Sequence, residues 1–334
     1  MSIGNNRQLL PIAGLVALSF WGIATANGAD QAKAPVQAKT PGQSKAPQQK
    51  GGTFLQFPKE CVGRIYSIND DAEFDSRKIP LRNLTPAQGR VEKPKGQAFS
   101  LRLNYEGGTN LSFLGNLKPY DLIGLDSDDI AIDCSQLKYL QNLKGLKRLE
   151  LRNSDFSDKE LAYLKNLPLE YLDISKTLVD GSGLAVMKTL THLVNLNLAN
   201  NSLIPSATAN LTGLPKLKEL YLSSTNVGDS DMANVSKLKL LTHLKLADNK
   251  KITDAGVASL ATLPNLTMLE LSGTSITIAC AGDLKKMHNL KRLYISSPRL
   301  TATLVAQIQK AMPDCKVQQA VQSKLPAELF SPLH

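Results

Sequence analysis

Leu244-Lys245-Leu246, then Ile252-Thr253-Asp254-Ala255-Gly256-Val257, then Leu263-Pro264-Asn265-Leu266-Thr267-Met268-Leu269-Glu270-Leu271-Ser272-Gly273-Thr274 form the stretch that decides the fold, because its end repeats its beginning. Aligning the first apolar residue of each such pair gives Ile123, Leu149, Leu172, Leu196, Leu220, Leu244, Leu269 and Leu293, with steps of 26, 23, 24, 24, 24, 25 and 24 residues. Two places on comes a second apolar column: Leu125, Leu151, Ile174, Leu198, Leu222, Leu246, Leu271 and Ile295. Five places on from the first stands a small polar residue in six repeats: Ser154, Thr177, Asn201, Thr225, Asn249 and Thr274. Seven places on, Ile130, Phe156, Val179, Leu203, Val227, Ile276 and Leu300 recur, while Ile252 falls one place late after Lys250-Lys251 and predicts a bulge there. Self-similarity at this period marks a stack of supersecondary units.

Side chains two apart on a strand point the same way, so each apolar pair faces one core and the residue between faces out. One strand per unit, joined by a dozen or more residues, gives a parallel sheet with crossover returns. The returns have helical spacing, as in Leu161, Leu164 and Leu167, or Val257, Leu260 and Leu263. Asp158, Asp229 and Asp254 precede them, where a carboxylate caps exposed N–H groups. The small polar residue after the strand is placed to bond buried backbone of the turn.

These phrases, Thr253-Asp254-Ala255-Gly256-Val257 above all, resemble the bacterial leucine-rich-repeat class, whose repeats carry a Thr-Asp-Ala-Gly-Leu-like phrase. The likeness covers roughly residues 114–317. It implies an α/β solenoid, a ribonuclease-inhibitor-like horseshoe with a concave parallel sheet and convex helices. For function it implies only a class that holds adhesion, scaffold and ligand-binding proteins alike. Met312-Pro313-Asp314-Cys315-Lys316-Val317 resembles the closing strand of such an array.

The flanking parts read differently. Arg7, an apolar run from Leu9 to Ile23, and Ala24-Thr25-Ala26 make residues 1–26 a signal peptide, too short for a membrane span. The mature chain is then exported, to the periplasm, the cell surface or the medium, with no membrane span. Residues 27–52, rich in Gln, Ala, Lys and Pro, cannot bury a core and read as a disordered linker. Residues 53–113 hold alternating stretches, Arg64-Ile65-Tyr66-Ser67-Ile68 and Phe99-Ser100-Leu101-Arg102-Leu103, and read as an irregular β-containing cap over the first repeat. Residues 318–334 form a tail. Asp70, Asp71, Glu73 and Asp75 lack the spacing of a calcium loop and read as a solvated loop.

Four cysteines in an exported chain permit two disulfides, with Cys61–Cys134 and Cys280–Cys315 the local pairing; four buried free thiols are the rival reading. Four scattered histidines, no Cys-x-x-Cys, no phosphate-binding glycine loop and no Gly-x-Ser-x-Gly elbow leave no catalytic set, metal site or cofactor expected. Asp126-Ser127-Asp128-Asp129 lies at a strand-to-turn junction, where acidic residues commonly cap.

What remains for function is the outward face of the strands. One column reads Gly124, Glu150, Asp173, Asn197, Tyr221, Lys245, Glu270 and Tyr294; the column before it reads Leu122, Arg148, Tyr171, Asn195, Glu219, His243, Met268 and Arg292. Eight strands make a face roughly 34 Å long. Tyrosine and arginine anchor protein interfaces most often, so Tyr171, Asp173, Tyr221, His243, Lys245, Arg292 and Tyr294 are the contact candidates. The same residues are also ordinary for exposed strands, where tyrosine has sheet propensity. The leading function is a non-enzymatic protein-binding scaffold of the bacterial envelope. A net charge of +10 supports an anionic envelope polymer as the alternative partner, and no nucleic-acid partner is expected. The third reading is an enzyme with its site between Gly51 and Asn110.

Overall fold

In the computed structural model the described residues are 53–69, 84–93, 97–127, 129–296 and 301–319. The expected signal peptide and linker, the acidic cluster at 70–75, Leu300 and most of the tail lie outside them. The amino-terminal part is β1 (Thr53–Gln56), β2 (Gly63–Asn69), β3 (Thr85–Pro86), β4 (Arg90–Lys93) and β5 (Gln97–Leu103). β1 pairs antiparallel with β4, and β2 pairs antiparallel with both β3 and β5. β5 then runs parallel to the array, so the irregular segment closes the amino-terminal edge of the sheet.

The array itself is β6 (Leu122–Asp126), β7 (Arg148–Glu150), β8 (Tyr171–Asp173), β9 (Asn195–Asn197), β10 (Glu219–Tyr221), β11 (His243–Lys245), β12 (Met268–Glu270), β13 (Arg292–Ile295) and β14 (Lys316–Gln319). Among the described residues they form one parallel run in chain order, the arrangement a leucine-rich-repeat solenoid requires. Both apolar columns from Leu149 to Leu293 and from Leu151 to Ile295 are fully buried. Leu161, Leu164, Leu167, Val257, Leu260 and Leu263 line the same core from the return paths.

Three expectations are corrected. The first concerns register: Leu125, not Ile123, pairs with Leu149, and Asp126 pairs with Glu150, so the first step is 24 residues rather than 26. The second apolar place of that repeat is then Ser127, itself fully buried. Gly124 accordingly belongs to the column of Arg148, and Asp126 replaces it in the column of Glu150.

The second concerns the convex side. Helices α2 (Asp229–Val235), α3 (Asp254–Leu260), α4 (Ala281–Lys286) and α5 (Ala302–Ala311) occupy only the later returns, α1 being the short Tyr105–Thr109. The earlier returns are 3₁₀ turns at Cys134–Asn142, Glu160–Leu164, Leu184–Thr189 and Ala207–Gly213. Capping does not separate the two kinds: Thr253 caps α3 and Asp133 caps the 3₁₀ turn at 134, while α4 and the turns at 160, 184 and 207 have no side-chain cap.

The third concerns the aspartates, which reach forward by one repeat instead of capping their own. Asp158 accepts from the Gly183 N–H at 2.6 Å; Asp229 accepts from Thr253 N–H and hydroxyl at 2.8 and 2.7 Å; Asp254 does the same for Thr277 at 2.8 and 2.6 Å. The Thr residues are the caps, and the preceding aspartates hold them.

The small polar column does bond the turn as expected. Thr225 Oγ1 donates to the Leu222 carbonyl at 2.6 Å and Thr274 Oγ1 to that of Leu271 at 2.6 Å. Asn201 and Asn249 span two repeats each. Asn249 Nδ2 donates to Leu222 and Leu246 carbonyls at 2.7 and 3.0 Å, while its oxygen accepts from the Thr225 N–H at 3.0 Å. The Ile252 irregularity coincides with an isolated bridge between Gly228 and Lys251.

All four cysteines are free thiols, and neither Cys61–Cys134 nor Cys280–Cys315 is joined. Each thiol turns to another neighbour. Cys61 donates to the Gly63 carbonyl, Cys134 lies by Glu160 and Ser154 of the next repeat, Cys280 donates to the Thr277 carbonyl, and Cys315 faces Lys291. Burial pushes Cys134 and Cys315 up to about 11, and Cys280 to about 12. Thiolates are the reacting species, so a colorimetric thiol assay at pH 8 should find these three unreactive until denaturant is added.

Candidate functional site

The concave sheet carries three outward columns. The first runs Gly124, Arg148, Tyr171, Asn195, Glu219, His243, Met268, Arg292 and Lys316, and the second Asp126, Glu150, Asp173, Asn197, Tyr221, Lys245, Glu270, Tyr294 and Gln318. Two places beyond the second lie Ser175, Ala199, Ser223 and Ala247. These small side chains leave a cavity of about 390 Å³ that reaches from Arg148 to Glu270. Just past them the chain turns through positive φ in successive repeats, at Asn153, Lys176, Asn200, Ser224, Asp248 and Gly273. The turn lifts the following residues away from the sheet and forms the cavity's rim.

Ion pairs and rings order the floor. Arg148 pairs with Glu150 at 2.8 Å and stacks its guanidinium 3.6 Å from the centre of the Tyr171 ring. The Lys245 ammonium lies 4.2 Å from the centre of the Tyr221 ring, and the Tyr221 hydroxyl donates to Glu219. Arg102 pairs with Asp126 at 3.1 Å, and Arg152 with Asp129 at 3.2 Å, so two acidic residues of the 126–129 run hold arginines. Among the described residues, no group of three His, Cys, Asp or Glu side chains is placed to hold a metal ion.

Burial disfavours the charged form of two deep carboxyls, Asp173 and Glu270. Asp173 receives the Ser175 N–H and hydroxyl and the Asn197 amide, yet burial, reinforced by the charge of Glu150, keeps its pKa above the usual range. Glu270, only 2% exposed, is pushed by burial up to about 7; Lys245 opposes the shift and Asp248 adds to it. Burial lowers the pKa of His243 against the pull of Glu219, and Arg292 and Lys245 lower it further, which favours a neutral imidazole.

The structure brings Tyr171, Asp173, Tyr221 and Lys245 together in the cavity lining. His243 and Arg292 stand beside it on the first column, and Tyr294 is buried against Met268. Asp173, His243, Lys245 and Tyr294 are therefore buried rather than exposed contacts, while Tyr171, Tyr221 and Arg292 stay half-buried. Sequence reasoning placed Arg148, Glu150 and Glu270 in their columns but did not single them out. The signal was available: like or opposite charges directly across neighbouring strands interact, and Lys245 sits beside Glu270.

A family model described as a leucine-rich repeat region matches residues 123–316. Internalin C2 of Listeria monocytogenes is similar at 27% identity and a TM-score of 0.50, over 59% of this chain and 80% of that one. A second internalin of that organism is similar at 23% identity and a TM-score of 0.45, over 63% and 70%. A Trypanosoma equiperdum protein named for adenylate cyclase regulation is 28% identical over 168 residues, 49% of this chain and 26% of that protein. The chain thus spans about a quarter of that relative's length. Because the family model covers more than half of the sequence, the chain belongs to the leucine-rich-repeat family.

Proposed function

We propose that the chain is an exported, non-enzymatic binding module that takes a protein partner on its concave face. The observation that carries the reading is the cavity, where small third-column residues expose a floor of paired charges and tyrosines. Ionic groups held in place before a partner arrives lower the ordering cost of binding. Export is supported by Arg7, the apolar run to Ile23 and Ala24-Thr25-Ala26. The regulatory name of the trypanosomal relative fits a binding role as well. A polymer of sugars is favoured less, because Arg148 and Lys245 each already cover one ring face of the two tyrosines a sugar would stack on.

A photo-cross-linking amino acid placed at Arg292, on the concave face, or at Lys285, exposed on α4, tests the reading in the native host. Protein adducts should form from position 292 and not from 285. Adducts from 285 alone would move the binding surface to the convex side.

A further inference from the structure

We propose that the Glu270 end of the concave cavity is a receptor for an arginine side chain presented by an extended segment of the partner. This rests on the concave-face reading and gives its partner a chemistry. Three observations lead to it. Glu270 is 2% exposed and lines the cavity, yet its Oε1 has no hydrogen-bond partner. Two residues along, on the same face of the chain, the Ser272 hydroxyl is also buried and without a partner. Asp248 lines the rim beside them and carries its carboxylate in solvent. A buried acceptor left unpaired is destabilising, and two lie together here.

The charge balance points the same way. The cavity is lined by five carboxylates, Asp129, Glu150, Asp173, Asp248 and Glu270, against Arg148, Arg152, Lys176 and Lys245. With every carboxyl ionised one negative charge is in excess, inside a chain whose net charge is +10. Burial, with the charge of Asp248 added, outweighs the pull of Lys245 and pushes the Glu270 carboxyl up to about 7, so a further cation at this end would favour its carboxylate form. A guanidinium supplies it with a planar fork of five donors and weak hydration, where an ammonium offers a compact, strongly hydrated charge. The fork can serve a carboxylate and a hydroxyl together.

A third unpaired acceptor, away from these two, selects a peptide over a free cation. The Asn195 side-chain oxygen, buried in the same lining, has no donor either. It lies three strands from Glu270, a distance of roughly 14 Å that about four extended residues cover. The arginine fills the Glu270 end while a backbone N–H upstream reaches Asn195.

The probe is the capped peptide acetyl-Gly-Gly-Gly-Arg-Gly-amide, with twins carrying citrulline or lysine in place of arginine, titrated into the full chain by ligand-observed NMR. The arginine peptide should bind at least tenfold tighter than its neutral citrulline twin and more tightly than the lysine peptide. Glu270→Gln should bring arginine and citrulline within twofold. Equal binding of the two by the wild-type chain, no binding of either, or a preference that survives Glu270→Gln would overturn the proposal. The wild-type comparison needs no variant to fold. If the peptide shows no preference while cross-links still form from position 292, the arginine receptor falls and the concave reading stands; cross-links from position 285 alone remove the concave reading itself.

Discussion

Glu270→Gln is expected to stabilise the protein by about 3 kcal/mol above pH 7 and to change little near pH 4. The carboxyl titrates at about 7 in the folded chain against an ordinary 4.5. The native state therefore holds its proton more tightly than the unfolded state does. Between those two values the unfolded chain gives up its proton first, so wild-type stability falls as pH rises through the window. The loss is complete above about pH 7 and amounts to roughly 3 kcal/mol at 1.36 kcal/mol per pH unit. Below 4.5 both states are protonated and the effect vanishes. Glutamine mimics the protonated carboxyl at every pH and escapes the loss. Urea unfolding of both proteins at pH 4 and pH 8 checks this. Equal differences at the two values would mean that Lys245 compensates the carboxylate fully.

Asn249→Ala is expected to cost about 3–4 kcal/mol, although it deletes only a small polar group. Asn249 is fully buried and supports both its own repeat and the one before it. Alanine leaves the Thr225 N–H and the Leu246 carbonyl without this partner, at roughly 1–3 kcal/mol for each buried group. The Leu222 carbonyl keeps the Thr225 hydroxyl and loses less. Thr274→Val is the control, because Thr274 donates one bond, to the Leu271 carbonyl. It should cost about 1 kcal/mol. Similar midpoints for the two variants in urea would show that the two-repeat span of the asparagine adds nothing.

Much of this molecule is legible in the spacing of its leucines. Apolar residues at fixed intervals determine which side chains enter the core, and the core determines the sheet. Legibility failed where one leucine was missing. At β6 the second apolar place holds Ser127, so Ile123-Gly124-Leu125 imitated the pair that Leu125 in fact begins. It failed again at the aspartates, because an acid before a helix has the same spacing whether it caps that helix or the next repeat's threonine. For the site, the columns were readable and the depth was not. Tyr294 sits in an outward column, yet Met268 on the neighbouring strand covers it. The third column, with Ser175, Ala199, Ser223 and Ala247, is the feature that opens the cavity. Its importance lies in what those residues lack, and a search for reactive or aromatic side chains passes over them.

The polar bonds that cross repeats also govern how such a chain can change in length. Asp229 with Thr253, Asp254 with Thr277, and Thr225 with Asn249 each join residues 23 or 24 positions apart. Excising one whole period keeps the leucine columns and the strands in register, although the Thr–Asn pairs, which alternate over two repeats, change partners. Excising a few residues from within a period leaves aspartates facing the wrong backbone and leucines turned to solvent. Growth and loss in this molecule are thereby restricted to whole units, and the reach of the concave face can change only in steps of one strand.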